Sequence, residues 1–175
     1  RQILNYALPA DMLGLQGTLM HEMEHSVEAL TPLTLCVFPR SKLWELYSHF
    51  PSLAFDITWL AAHEERLIDE YLVSLGRRSA VERTAFLLLH LFVRAADSGL
   101  TKDGAIQFPF TQQHLADTLG MSLVHTNKTL KRLYATNAIR WKGRRFELVD
   151  RAMLTNLAGD DFIAPDFERE VVELQ

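Results

Sequence analysis

Basic side chains are concentrated between residues 111 and 149, and their chemistry suits binding to a polyanion. Seven basic residues there face two acidic ones, a balance of about +5, although the whole chain carries −4. A basic segment within an acidic chain is typical of proteins in which one part contacts nucleic acid. A solvated basic surface would give the same count, so charge alone leaves both interpretations open. The basic residues are Lys128, Lys131, Arg132, Arg140, Lys142, Arg144 and Arg145.

A second set of reactive side chains lies in the run from His21 to His25, which matches the pattern H-E-x-x-H. In zinc proteases the two histidines of this pattern lie one helical turn apart and bind zinc, and the glutamate, here Glu22, acts as general base. The pattern requires a helix over residues 18–30, but turn residues precede the run and strand-like residues follow it. A zinc enzyme stays an alternative, and we expect an exposed loop without catalytic residues or a bound metal.

The basic segment begins with the pattern of a helix-turn-helix. Thr111 is placed to cap a short helix, and Gly120 falls at the turn, where a residue without Cβ adopts positive φ at little cost. Ser122 is placed to cap a second helix, whose inward residues include Leu130 and Leu133. The outward side of this second helix carries Leu123, Val124, His125, Asn127, Lys128 and Lys131.

A basic β-hairpin is predicted directly after the second helix, with apolar residues alternating on two strands around the tip Lys142-Gly143-Arg144-Arg145. A helix-turn-helix followed by such a hairpin is a winged helix. Its second helix fits the DNA major groove, where its first residues reach base edges, and the hairpin lies along phosphates. We therefore predict binding to double-stranded DNA, with Lys142, Arg144 and Arg145 on the backbone. A winged helix that binds another protein is the alternative.

Two helices are predicted in the region 40–78, a short one from Ser41 to Phe50 and a longer one from Pro51, since proline is favoured in the first helical turn. Along the longer helix, residues repeat in steps of four and three, which is the heptad spacing of a two-stranded dimer. Packing of the helix within its own domain is the alternative. The predicted interface residues are Leu53, Ile57, Leu60, Glu64, Leu67 and Tyr71.

The remaining segments complete the predicted domain organisation. Ser79 and Glu82 have the spacing of a capping box at the start of the winged-helix domain, 79–158, in which residues 97–107 form a polar loop. Residues 1–39 contain strand-like stretches at 3–7 and 33–38, too few to close a sheet, which indicates part of a β-domain that continues upstream of this chain. Residues 159–175 are predicted to be an acidic tail.

Composition indicates a cytoplasmic protein outside the membrane. The single cysteine, Cys36, excludes an intrachain disulfide and is typical of a reducing compartment. No apolar run approaches the ~18 residues that a membrane-spanning helix needs. One cysteine also cannot hold an iron–sulfur cluster by itself, so we expect no cofactor in this chain.

The order of β-domain end, long helix and C-terminal winged helix resembles the Crp/Fnr family of bacterial transcription regulators, over residues 1 to about 150. The resemblance implies an α+β fold in which residues 1–39 are the C-terminal part of a cyclic-nucleotide-binding-like jelly roll. It also implies a homodimer on an inverted-repeat DNA site, and contact of the loop 97–107 with RNA polymerase. Base reading is implied at Leu123, Val124 and Lys128, and phosphate contacts at Thr111, Gln112, Gln113, Ser122 and Lys131.

This chain departs from better-known members of the family at informative positions. Leu123 and Val124 offer only apolar contact to a thymine methyl, so we expect His125, Asn127 and Lys128 to supply most hydrogen bonds to bases. In relatives that bind cyclic AMP, Gly-Glu holds the ribose and Arg-Ser the phosphate. The matching residues here are Gly14-Leu15 and His25-Ser26, in which leucine cannot accept the ribose hydrogen bond and histidine is a poorer phosphate partner than arginine. Cyclic AMP is therefore disfavoured, and the effector is unknown.

Overall fold

A computed structural model describes residues 1–159, which divide into two compact units. One unit is residues 11–73, and the other combines residues 1–10 with the part of the chain from residue 74 onward. The acidic tail predicted at 159–175 lies, apart from its first residue, outside the described residues. The elements are α1 (Leu15–Met20), a 3-10 turn (Arg40–Lys42), α2 (Leu43–His49), α3 (Pro51–Arg77), α4 (Ala80–Asp97), β1 (Thr101–Lys102), β2 (Ala105–Gln107), α5 (Gln112–Leu119), α6 (Leu123–Ala135), β3 (Ile139–Lys142), β4 (Arg145–Leu148) and α7 (Arg151–Ala158).

The unit of residues 11–73 is helical. Phe50, with φ −132° and ψ 71°, ends α2, and α3 begins at Pro51, which confirms both predicted helices. None of the helices in the described part of the chain is long and apolar enough to cross a membrane.

The strands predicted at 3–7 and 33–38 are wrong. Every β-ladder among residues 1–159 lies between Thr101 and Leu148. A β-branched composition favours a strand, but the strand forms only when a neighbouring strand accepts and donates its backbone hydrogen bonds. The described chain supplies no such neighbour to these two stretches, so they keep an irregular backbone and leave Leu33, Leu35 and Val37 exposed.

Residues 1–10 pack against the winged helix within their common unit. The buried Tyr6 places its hydroxyl 2.6 Å from Thr118 Oγ1 and its ring centroid 4.2 Å from that of Phe110. Arg94 Nη1 donates to the carbonyl oxygen of Tyr6 over 3.2 Å. Burial raises the pKa of Tyr6 to about 12, because the phenolate would lose its hydration there.

The winged-helix core is centred on α4, which packs mainly against α7 and α6 and also against α5 and β2, a strand of the antiparallel sheet of order β1-β2-β4-β3. The predicted capping box is confirmed: Ser79 Oγ accepts from the Glu82 N–H, and Glu82 Oε2 accepts from the Ser79 N–H. Every residue from 84 to 91 of α4 is buried. On the sheet, Phe146 is fully buried and lies 4.8 Å from Phe108 and 5.8 Å from Trp141 between ring centroids.

The segment 97–107 contains a β-hairpin, so the prediction of a loop without strands is wrong. Asp103 and Gly104 form its two-residue turn with φ values of 50° and 68°, the positive φ pair of a type I′ turn. An Asp-Gly pair between short strands is itself a strong hairpin signal, which could have been read from the sequence. The second strand of this hairpin pairs with β4 and so extends the wing into a four-stranded sheet.

Gly120 provides a test of the turn between α5 and α6. Its φ is +62°, and a Cβ there would meet no atom within 4 Å, so Gly120→Ala changes only the backbone strain. We expect it to lower the free energy of unfolding by about 1 kcal/mol in urea denaturation. Gly76→Ala in α3, which is equally open and not at positive φ, is the control and should raise stability by about 0.5 kcal/mol. Equal effects of both substitutions would contradict the left-handed turn.

Candidate nucleic-acid interface

The start of α5 is held by a reciprocal cap. Thr111 Oγ1 accepts from the His114 N–H, and His114 Nδ1 accepts from the Thr111 N–H, both over 3.2 Å. The predicted role of Thr111 as a cap is confirmed. The part played by His114 was not predicted, because glutamate or glutamine usually fills that position of a capping box.

The start of α6 is fixed by Ser122, whose Oγ accepts from the His125 N–H over 3.2 Å. This confirms the predicted cap. The inward side of the helix consists of Thr126, Thr129, Leu130 and Leu133, all buried. Thr126 Oγ1 donates to the Ser122 carbonyl oxygen over 3.1 Å, so its buried hydroxyl keeps a hydrogen bond inside the helix. A threonine at position 126 therefore fits this buried side.

The outward side of α6 presents a row of exposed side chains. Val124, Lys128 and Lys131 are spaced by four and three residues, so they share one face of the helix. Val124 is 66% exposed and Leu123 42% exposed, His125 is exposed, and Asn127 is half-buried. Within residues 1–159 the two lysines form no hydrogen bond or ion pair, so their ammonium groups are available to a ligand.

The first residues of α5 lie beside the wing. Thr111, Gln112 and Gln113 are exposed at the positive end of this helix dipole, and Gln113 Nε2 donates to Asp117 Oδ1 over 2.7 Å. A cleft of about 260 Å³ separates the helix start from the wing, and burial raises the pKa of Tyr134, one of its lining residues. The lining residues are Phe110, Thr111, Gln112, Tyr134, Trp141 and Gly143.

The cations of the wing fall into two groups. Lys142 and Arg144 are exposed at the hairpin tip. Arg145 Nε and Arg140 Nη1 donate to the two carboxylate oxygens of Glu147, each over 2.8 Å. These hydrogen bonds lower the pKa of Glu147, because they stabilise its charged form. Arg145, which is predicted to contact phosphate, therefore already has an anionic partner on the sheet. This ion pair is not predicted from the sequence.

The H-E-x-x-H run does not have the geometry of a zinc site. Helix α1 ends at Met20, and His21 has φ 81°, outside the helical region. His21 and His25 are therefore not one helical turn apart, and Glu22 lies with them in an exposed segment. No group of three or more potential metal ligands occurs among residues 1–159. Because His21 and His25 do not share a helix, the alternative of a zinc enzyme built on this run is wrong.

The predicted effector positions lie within the unit of residues 11–73. Gly14 precedes α1 with φ 86°, and Leu15 is the first residue of that helix. His25 and Ser26 lie in the exposed irregular segment that follows. The structure therefore assigns the four residues to two different local structures, a helix start and a loop.

The predicted dimer seam does not form one exposed stripe. Ile57 and Leu67 are buried, Leu60, Glu64 and Tyr71 are half-buried, and Leu53 is exposed. The large apolar side chains most exposed along the second half of α3 are instead Ile68 and Leu72, at 63% and 68%. They lie one helical turn apart and one position after Leu67 and Tyr71, a rotation of about 100° around the helix.

Comparison with known proteins supports the winged helix. The family model described as a Crp-like helix-turn-helix domain matches residues 82–157. The chain is 31% identical over 158 residues to the nitrogen fixation regulation protein FixK of Bradyrhizobium diazoefficiens, and 30% identical over 165 residues to the transcriptional activator protein FnrL of Cereibacter sphaeroides. These alignments cover 90% and 92% of this chain but 65% and 66% of the relatives, so the chain spans just under two thirds of their length.

A solved structure shows the same architecture. FixK2 from Bradyrhizobium japonicum matches with a TM-score of 0.59 and 28% identity, over 67% of this chain and 58% of that one. The α+β fold with a helix-turn-helix is thereby confirmed. The relatives named here are regulators of nitrogen fixation or transcription, which agrees with the prediction that the chain is not an enzyme.

Glu147 provides a test of the paired cations in the wing. Glu147→Gln removes the anionic partner of Arg140 and Arg145, so both guanidinium groups gain affinity for an external polyanion. We expect this variant to elute from a heparin column at a clearly higher salt concentration than the parent. Glu65→Gln makes the same change in net charge on an exposed position of α3 and should shift elution much less. The same shift for both variants would show that only net charge matters.

Proposed function

We propose that this chain is a transcription regulator of the Crp/Fnr type that binds double-stranded DNA through α6 and the wing, a proposal supported by its similarity to the Crp-like helix-turn-helix domain and to FixK and FnrL. The observation that carries this proposal is the outward side of α6, where Lys128 and Lys131 are exposed and unpaired within the described residues. A row of free cations on a helix of this width suits the DNA major groove and its phosphate edges. A winged helix that binds another protein would not require exposed, unpaired lysines on this helix.

The residues divide by the part of DNA that they would contact. Base edges would be read by Leu123, Val124, His125, Asn127 and Lys128, which follow the Ser122 cap in the first turns of α6. Lysine pairs well with guanine and asparagine with adenine. Phosphates would be contacted by Thr111, Gln112, Gln113, Ser122, Lys131, Lys142 and Arg144, with Arg145 joining them when a phosphate competes for it against Glu147.

A homodimer would place two copies of α6 on one face of the duplex, about one helical turn apart, so the site would be an inverted repeat. We propose α3 as the helix that pairs. Ile57 and Leu67 of the predicted seam are already buried in a single chain, so Ile68 and Leu72 are better placed to contact a second copy. An exposed pair of large apolar side chains one turn apart is typical of a helix with a partner.

Two further features belong to the same proposal. The resemblance matches Leu15 to a glutamate that holds the ribose in relatives that bind cyclic AMP, and a leucine, which cannot accept that hydrogen bond, supports regulation that does not depend on cyclic AMP. The resemblance implies contact of residues 97–107 with RNA polymerase, and the exposed polar turn of the β1-β2 hairpin at Asp103 and Gly104 supports that contact.

Sequence selection with an inverted-repeat library tests DNA recognition. The parent chain should enrich specific duplexes in an electrophoretic shift, with affinity that falls steeply with salt concentration. Lys128→Ala should weaken binding to the selected duplex by about 1–3 kcal/mol and relax the preference at one base pair of each half-site. Lys131→Ala, on the same helix, should weaken binding about equally to all sequences and lower the salt slope by about 1.

Three results would count against this proposal. If the parent bound no duplex in the presence of a heparin competitor, DNA binding would be refuted. If Lys128→Ala kept the full sequence preference, the assignment of Lys128 to base reading would be wrong. If Lys131→Ala changed sequence preference, the division between base and phosphate contacts would be wrong.

Analytical ultracentrifugation tests the pairing of α3. Ile68→Glu places a charge on the exposed stripe and should shift the chain from dimer to monomer, because two like charges would then face each other in the interface. Leu53→Glu, at an exposed residue of the original seam, is the comparison and should leave the dimer intact. A dimer that persists in Ile68→Glu but dissociates in Leu53→Glu would show that the predicted heptad residues, and not Ile68 and Leu72, form the interface.

A further inference from the structure

Val124 is the more exposed of the two apolar residues that begin α6, since Leu123 beside it is 42% exposed, and the rest of its helix face is polar and cationic. It lies in the first turn of α6, follows the Ser122 cap by two residues and is 66% exposed. It shares its helix face with Lys128 and Lys131, and it points away from the buried side formed by Thr126, Leu130 and Leu133. An apolar side chain in this place gains stability only when a ligand covers it with apolar surface.

The edges of DNA bases offer very little apolar surface in the major groove. The C5-methyl group of thymine is the apolar group there, and the other groups are hydrogen-bond donors and acceptors. A valine pressed against guanine O6 and N7 or against a cytosine amino group would remove water from them without replacing the hydrogen bonds. The side chain therefore selects for a methylated pyrimidine and against the other base edges.

We propose that Val124 reads the C5-methyl group of a pyrimidine in each half-site of the DNA target, which makes it a specificity-determining residue. This inference rests on the function proposed above. Thymine and 5-methylcytosine carry the same methyl group, and the position alone does not distinguish them. Lys128, one turn further along α6, would add a hydrogen bond to a neighbouring base.

Deoxyuridine tests the proposal, because it removes the methyl group of thymine and keeps the hydrogen-bonding edge. Each thymine of the selected duplex is replaced in turn by deoxyuridine in both half-sites, and affinity for the chain is measured. We expect one position at which the loss is about fourfold per half-site, the value for one buried methyl group. A second set of duplexes places a C·G pair at that position with and without 5-methylation, and methylation should restore part of the affinity.

Val124→Ala should bind the thymine duplex about as weakly as the parent binds the deoxyuridine duplex, and should no longer distinguish the two. Lys128→Ala should weaken binding to both duplexes and keep their ratio. The matched control is Val149→Ala, the same truncation at an exposed valine directly after β4, which should leave both affinities unchanged.

Two outcomes would overturn the proposal while leaving DNA binding intact. One is that no deoxyuridine substitution weakens binding by the parent. The other is that the penalty persists unchanged in Val124→Ala, which would assign the methyl contact to another residue. Failure of the parent to bind any duplex would refute the proposed function itself, and this inference with it.

Discussion

The start of α6 at Ser122 is the constraint on which the candidate interface depends. Its side-chain oxygen accepts from the His125 N–H, and its carbonyl oxygen accepts from both the backbone N–H and the hydroxyl of Thr126. These bonds fix the residue at which the helix begins and therefore its rotation about its own axis. A start one residue earlier would turn every side chain by about 100°, so Lys128 would take the buried place of Thr129 and Leu130 the exposed place of Lys131. Both the packing of the domain and the exposed row on α6 follow from this one position.

The charges of the winged helix are arranged in two ways that net charge does not reveal. Glu147 forms ion pairs with both Arg140 and Arg145 on the sheet, while Lys128 and Lys131 have no such partner among residues 1–159. Exposed ion pairs contribute little to stability, so the two arginines are held loosely enough for a phosphate to compete for them. A phosphate would not have to displace a carboxylate to reach the lysines of α6. The chain can therefore be acidic as a whole and still carry a surface that is suited to a polyanion.

The features predictable from the sequence are those determined by neighbours along the chain. Thr111, Gly120 and Ser122 were placed correctly because a cap or a left-handed turn depends on a few adjacent residues. The strands at 3–7 and 33–38 failed because pairing depends on a distant partner. On α3 the periodicity identified a helix, but it could not show that Leu67 is covered within one chain while Ile68 is exposed. Glu147 was missed because Arg140 meets it only across a β-ladder, although Arg145 lies two residues before it on the same strand.

The apolar residues at the start of α6 affect how strongly the proposed DNA contacts could discriminate between bases. A bidentate hydrogen-bonded pair discriminates between bases by about 1–3 kcal/mol, whereas one methyl contact contributes about 0.8 kcal/mol. Under the proposed function, Leu123 and Val124 would therefore add little discrimination, and sequence preference within one half-site would depend mainly on His125, Asn127 and Lys128. Two copies on one duplex double the discriminating term, because each half-site adds its own contacts. In the proposed dimer, sequence preference would thus depend more on the pairing of two copies than it would for a helix with arginine or glutamate at positions 123 and 124.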